Sequence, residues 1–317
     1  VNGPGLRDLA PEQALRRLEL TVTRRLDGLL QGDHLGLLPG PGWEPAEGRE
    51  YVAGDDVRAM DWNLTARMTT PHVRDRVADR ELETWVLVDA TASMDFGTGQ
   101  LEKRDLAVFA VAAAGFLTER TGNRLGARIV RDGGTRHVPA RTGRAHLLAL
   151  LGTLLAEPRG ATGRAAPSLG AGADLLRRTG PRRRGLIVVV SDFLEGVREW
   201  ERPLRLLGAR HQLLAVEVVD PRELTLPDVG MLTLVDPETG RRREVPTASR
   251  RLRERYAGAA ARQREEIAAG LRRAGAAHLR LRTDGDWVRD LVRHVLAQRR
   301  VALAAPAPPP PPAGGAA

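Results

Sequence analysis

At 317 residues the chain is long enough for one large α/β domain with attachments, and its core must be built from Leu, Val and Ala, because aromatic residues make up only 3%. Cysteine is absent, which excludes disulfides, thiolate metal sites and cysteine nucleophiles. The net charge of +9 is carried almost wholly by arginine, Lys103 being the only lysine; such a charge invites a polyanion, but the arginines stand beside acids, as in 250–266, with no zinc-finger, RNP-like or helix-turn-helix pattern, so specific nucleic-acid binding through an arginine surface is only an alternative reading.

The sequence starts without a basic stretch leading into an apolar run, and its longest apolar stretch, Leu106 to Leu117, is too short to cross a bilayer. The expectation is no membrane span and a cytoplasmic location. Leu15, Leu18, Leu26, Leu29 and Leu30 predict an amphipathic helix over 11–30, which needs a surface to dock on. With its linker it makes up 1–40, ending at the turn-rich Leu38-Pro39-Gly40-Pro41-Gly42. Residues 41–82 form a small module dense in Arg and Asp. Arg49, Tyr51, Asp55, Asp56, Arg58, Asp61, Trp62 and Arg67 form either a docking surface or a structural network. The structural reading is preferred, because charges of alternating sign neutralise one another locally, with Trp62 as a local core anchor.

From 83 to 300 strand and helix signals alternate, predicting strands at 84–89, 125–130, 135–138, 185–191, 212–219 and 278–282. Helices are predicted at 104–120, 144–155, 168–178, 197–207, 249–274 and 286–299. That rhythm implies an α/β fold with a mostly parallel sheet covered on both faces. An insertion at 221–247 contains a β-hairpin, its arms flanking Asp236-Pro237-Glu238-Thr239-Gly240, and 301–317 is a Pro/Ala tail expected to be disordered.

The chemistry lies at two strand ends. Trp85-Val86-Leu87-Val88 leads into Asp89, followed by Thr91 and Ser93; Leu186 to Val190 leads into Ser191 and Asp192. In an open parallel α/β sheet that edge is where ligands bind. Asp89, Thr91, Ser93 and Asp192 offer only oxygens, which suits a hard cation, Mg2+ or Mn2+. With largely neutral hydroxyls as direct ligands the ion keeps net positive charge and seeks a carboxylate from a partner. A third loop should contribute Ser168 or, alternatively, Thr162. The competing reading of either half alone is an ordinary helix cap.

At these residues the chain resembles the von Willebrand factor A fold, whose metal-ion-dependent adhesion site reads Asp-x-Ser-x-Ser with a later Asp; Thr91 replaces the first serine and keeps the hydroxyl. It resembles more specifically domain of unknown function family 58 (DUF58), through Arg49-Glu50-Tyr51, Gly54-Asp55-Asp56-Val57-Arg58, Asp61-Trp62, Ala66-Arg67 and Glu81. The likeness continues in Asp220-Pro221-Arg222-Glu223, Leu226-Pro227-Asp228-Val229-Gly230 and 236–240, so that it spans about 36–300. Many relatives carry a pair of N-terminal membrane helices, a feature not carried over to this chain. The resemblance implies a non-enzymatic adaptor or co-chaperone for a MoxR-type AAA+ ATPase, and the charge kept by the ion points to an acidic client. The chain itself has no P-loop.

An enzyme of the haloacid dehalogenase type, with Asp89 as nucleophile, is the other alternative. It requires a second Asp where Thr91 stands, and a later lysine. Lys103 reads as too close in sequence and on the wrong helix for that role. Gly-x-Ser-x-Gly is missing around Ser93, which excludes the usual serine hydrolase elbow.

Overall fold

The two apolar runs that end in Asp89 and Ser191 become hydrogen-bonded parallel neighbours, β3 (Glu83–Asp89) and β6 (Leu186–Ser191), at the centre of a six-stranded sheet. The computed structural model describes residues 6, 9–29, 48–52, 60, 62–68, 70–74, 83–99, 101–120, 122–160, 166–237 and 239–304. Strand order is β10-β7-β6-β3-β4-β5, with β4 at Arg124–Arg131, β5 at Gly134–Arg141, β7 at Gln212–Val219 and β10 at Ala276–Arg282.

Every pairing in that sheet is parallel except β4 with β5. The exception follows from the connection: β4 and β5 are joined through Asp132 and Gly133 alone, and a two-residue turn closes only an antiparallel pair. The mostly parallel sheet flanked by helices, expected from sequence, is therefore present, with one antiparallel edge.

The apolar runs are unbroken because both faces of the central strands are buried. Val86, Val88, Val188, Val190, Leu214 and Val216 share one core. Trp85, Leu87, Ile187, Val189, Leu213 and Ala215 alternate with them into the other. The first face is covered by α3 (Lys103–Arg120), α4 (Arg144–Ala156) and α9 (Trp287–Ala304). The second is covered by α5 (Leu169–Thr179), α6 (Val197–Gly208) and α8 (Arg250–Arg273). Helix α3 is buried almost all round, which accounts for its run of alanine and valine instead of an amphipathic stripe.

The N-terminal helix α1 (Pro11–Leu29) docks on α3, α4 and α9 and lends Leu18 and Val22 to the first core, with Leu15 packed against it; the side chains of Leu26 and Leu29, and Leu30, lie outside the described residues. Glu19 forms an ion pair with Arg144 at the start of α4.

In the 41–82 module, β1 (Gly48–Glu50) pairs antiparallel with β2 (His72–Arg74), and a two-turn helix α2 (Trp62–Met68) lies between them in sequence. Asp55, Asp56, Arg58 and Asp61 lie outside the described residues, as does the side chain of Arg49. Tyr51 is half-buried, and its backbone N–H donates to Pro71 O. Trp62 is not a local core anchor: it is 68% exposed, and the buried contacts here come from His72 and Val73 on β2. Arg67 is exposed as well.

The hairpin forms as β8 (Met231–Val235) and β9 (Arg242–Pro246), which among the described residues pair only with each other. A short helix the sequence reading did not foresee, α7 (Pro221–Leu224), sits between β7 and the hairpin with Asp220 and Glu223 forming a capping box.

Candidate metal centre

Because β3 and β6 run parallel with Val88 opposite Val190, Asp89 and the Ser191-Asp192 pair emerge side by side at the carboxyl edge of the sheet. All are buried: Asp89 is 5% exposed and Asp192 2%. Asp89 Oδ1 accepts the Thr91 backbone N–H at 3.0 Å and the Thr91 hydroxyl at 2.7 Å. Its Oδ2 accepts the Ser191 hydroxyl at 2.7 Å. Thr91 Oγ1 is 3.3 Å from Ser93 Oγ, and Ser93 in turn bonds to Asp192. Asp89, Thr91, Ser93 and Asp192 are thereby brought together as one connected set of oxygens.

The two carboxylates are pushed apart electrostatically. Burial, reinforced by the nearby charge of Asp192, holds Asp89 above the usual carboxylate range, against the hydrogen bonds of Thr91 and Ser191. Burial acts on Asp192 in the same direction, but Lys103 overrides it and leaves Asp192 below that range.

Lys103 is the residue that reasoning from the sequence misplaced. From the first turn of α3 its ammonium reaches into the centre, donating to Asp192 Oδ2 at 2.7 Å and to Glu223 Oε1 at 2.5 Å, with 0% of the residue exposed. Short sequence separation proved no obstacle to reaching this edge, because the loop after Asp89 turns back on itself, Lys103 N–H donating to Phe96 O at 2.8 Å. Desolvation opposes the charged ammonium, yet the two carboxylates outweigh it and raise the Lys103 pKa. The lysine contacts Asp192 rather than Asp89.

An outer layer fixes the loops. Arg104 donates to Ala90 O at 3.0 Å and to Asp95 Oδ2 at 2.7 Å, and Asp95 Oδ2 also accepts Gly160 N–H at 2.7 Å. A Cβ on Gly160 would lie 2.5 Å from Ala92 Cα, so only glycine lets this segment rest on the Thr91–Asp95 loop. Arg264 of α8 donates to Asp192 O at 3.2 Å and to Glu217 Oε1 at 2.9 Å. Phe193 adopts φ 54°, a left-handed conformation that costs a non-glycine residue about 1–3 kcal/mol. Its buried ring packs edge-on against Trp200 with centroids 5.3 Å apart, which holds the turn after Asp192.

Ser168 is the N-cap of α5, its Oγ accepting Ala171 N–H at 3.0 Å. Thr162 lies outside the described residues. The adjacent Leu169 N–H donates to both oxygens of Glu195 at 3.1 Å, which ties the α5 N-terminus to the loop carrying Asp192. Burial, with smaller contributions from Asp89 and Asp192, pushes Glu195 up to about 7. Among the described residues no group of three or more His, Cys, Asp or Glu is arranged to hold a metal ion. Any cation at this edge would rest on two carboxylates and the surrounding hydroxyls. Ser191 was read only as the residue before Asp192, Glu223 was not foreseen at this edge, and Lys103 was set aside. The apolar strand ahead of Ser191 was a usable signal for the first, whereas no spacing rule connects Lys103 to Glu223.

Strand order, the single antiparallel edge strand and helices on both faces define a von Willebrand factor A-like α/β fold. The family described as "Protein of unknown function DUF58" matches residues 47–266, and the chain belongs to that family. Uncharacterized proteins of Mycobacterium tuberculosis (Rv1480) and Mycobacterium bovis (Mb1516) are each 54% identical over 291 residues, covering 92% of this chain and 90% of theirs. Among solved structures, the conserved hypothetical protein BatB from Bacteroides thetaiotaomicron is similar with a TM-score of 0.40 and 14% identity, over 69% of this chain and 99% of that one. The SpRpn10 VWA domain is similar with a TM-score of 0.39 and 11% identity, over 67% and 93%.

Proposed function

We propose that this protein is a non-enzymatic binding adaptor whose sheet edge takes Mg2+ or Mn2+ on Asp89, Thr91, Ser93 and Asp192 and captures an acidic residue of a client protein. The observation that carries the reading is the pair of buried carboxylates joined through Thr91 and Ser93, with Asp89 held above its ordinary range partly by Asp192. A divalent ion relieves that repulsion, and an all-oxygen donor set suits a hard cation. Lys103 already offsets part of the negative charge, so the bound ion retains positive charge for a ligand from outside.

Resemblance to the family supports a MoxR-type AAA+ ATPase as the working partner, in a co-chaperone role in the cytoplasm. Among the described residues no helix is long and apolar enough to cross a membrane. Thr91 in place of a second carboxylate argues against phosphoryl transfer by Asp89, since no acid stands there to protonate a leaving group.

The test is a magnesium titration read by thermal unfolding. At one hundred times Kd a bound ion adds about 2.7 kcal/mol, which for a chain of this size raises Tm by roughly 4–5 °C. Asp89→Ala should abolish the rise. A magnesium-independent Tm in the parent protein refutes the metal reading, and phosphatase turnover lost in Asp89→Ala overturns the non-enzymatic one. Co-purification with a MoxR-type ATPase should require magnesium and drop in Asp192→Asn; equal recovery rules out a metal-bridged partnership.

A further inference from the structure

The opposite edge of the sheet carries a second feature that the carboxyl-edge centre does not involve. At the amino ends of β3 and β4, a cleft of about 460 Å³ is bounded by Glu83, Arg124, His137, Thr179, Arg182 and Arg183. Glu83 is already engaged, by Arg124 Nη1 at 3.2 Å and by the Trp85 indole N–H at 3.2 Å. Among the described residues Arg182 and Arg183 have no acidic partner.

Behind the wall stands Arg128 of β4, only 7% exposed. Its Nη2 donates to the Thr179 hydroxyl at 2.6 Å and its Nη1 to the Thr135 hydroxyl at 3.3 Å, while its Nε has no hydrogen-bond partner. Both partners are neutral, so among the described residues a buried guanidinium has no counterion, an arrangement that is costly unless an anion completes it. Burial pulls Arg128 below the usual guanidinium range. His137, directly opposite Arg128 in the β4–β5 register, stacks on Trp85 at 5.4 Å with 21° between the rings and turns its other face outward.

Three guanidinium groups against one carboxylate line the cleft, and buried Arg128 behind its wall brings the local excess to three positive charges. The C-terminus of α5, ending at Thr179, opposes them with only about half a charge, so the positive field dominates. Planar guanidinium forks match the oxygens of phosphate, and an excess of three charges suits a ligand with more than one negative charge.

We propose that this cleft is a site for a small phosphate-bearing anion, with Arg182 and Arg183 at its mouth, Arg128 supplying the charge behind its wall and His137 offering a flat platform. The ligand is either an inorganic polyphosphate or a nucleotide diphosphate; they share the same phosphate chemistry. This assignment stands independently of the metal centre on the other edge.

Calorimetric titration of the full chain with pyrophosphate, ADP and citrate tests it. Pyrophosphate should bind one to one and at least about tenfold more tightly than citrate, a carboxylate of comparable charge. Arg182→Ser with Arg183→Ser, both at exposed positions, should weaken pyrophosphate by about 100-fold, at about tenfold per charge-assisted bond lost, without changing Tm. Arg128→Met should weaken it by about tenfold while leaving Tm in phosphate-free buffer unchanged or higher, because an uncompensated buried charge has been removed. An ADP affinity about tenfold above that of pyrophosphate, lost in His137→Ala, marks the ligand as a nucleotide; equal affinities mark it as inorganic. If pyrophosphate and ADP bind no better than citrate, or the Arg182/Arg183 double variant binds as the parent does, the site is refuted.

Discussion

Replacing Lys103 by Met removes the one cation that Asp192 and Glu223 share, at 2.7 and 2.5 Å, in a position with no exposure to solvent. Breaking a buried ion pair by deleting one partner costs about 3–5 kcal/mol, chiefly because the remaining charge is stranded. Here two carboxylates are stranded, although Arg264, whose Nη2 is 3.9 Å from Glu223 Oε2, remains to offset part of the charge. Total stability for a domain is about 5–15 kcal/mol, so the variant loses a large fraction of it, and Tm falls by roughly 5–8 °C. Thermal unfolding by circular dichroism at pH 7 in the presence of a chelator measures the loss. The same variant should bind magnesium more tightly than the parent, because the competing ammonium is gone, so added magnesium should restore more of its Tm than it adds to the parent's. A Tm within about 2 °C of the parent in chelator, with no greater response to magnesium, would falsify the placement of Lys103 as the charge that balances this edge.

Other substitutions probe other parts of the structure. Glu217, bonded to Arg264, His278 and Arg280, has its carboxyl lowered to about 2 despite its burial. A lowered folded-state pKa contributes stability that is complete above the unfolded value near 4.5 and is lost as pH falls toward 2. The contribution is about 3 kcal/mol, and denaturant unfolding from pH 5 to pH 2 should show a steeper decline in the parent than in Glu217→Gln. Gly170 sits where an added Cβ would lie 2.0 Å from Glu199 O, so Gly170→Ala must separate α5 from α6 and should cost about 1–3 kcal/mol in urea unfolding; an unchanged midpoint would show that the two helices can part freely. Trp62→Ala, at a residue 68% exposed, should change stability by less than about 0.5 kcal/mol. A larger loss on thermal melting would mean that the indole is buried after all.

Legibility differed between the elements and the site. The strands that carry Asp89 and Asp192 were readable because a strand buried on both faces shows as an unbroken apolar run, and the acid that ends it marks the sheet edge. Helix α3 was readable for a related reason, its uniform Ala/Val composition. Trp62 was misread, since a lone aromatic in a charged stretch has no period that says which way it faces. The helix α7 escaped notice because four residues make barely one turn, too few for a repeat to show, although its capping box Asp220 to Glu223 was there to be read.

Sequence alone determined the alternation of strands and helices, the hydroxyl and carboxylate donors at two strand ends, and the family likeness, since each depends on local pattern or on a run of neighbouring residues. Tertiary structure decided which strands lie side by side, and so whether Asp89 and Asp192 share an edge at all. It also decided that Lys103 joins Asp192 to Glu223 across 89 and 120 residues of sequence, and that Arg128 lies buried with its hydrogen bonds going to the hydroxyls of Thr135 and Thr179. Ion pairs and uncompensated charges of this kind depend on the folding of distant segments onto one another. Coulomb energy is set by separation in space and by the surrounding dielectric, neither of which is written in the spacing of residues along the chain.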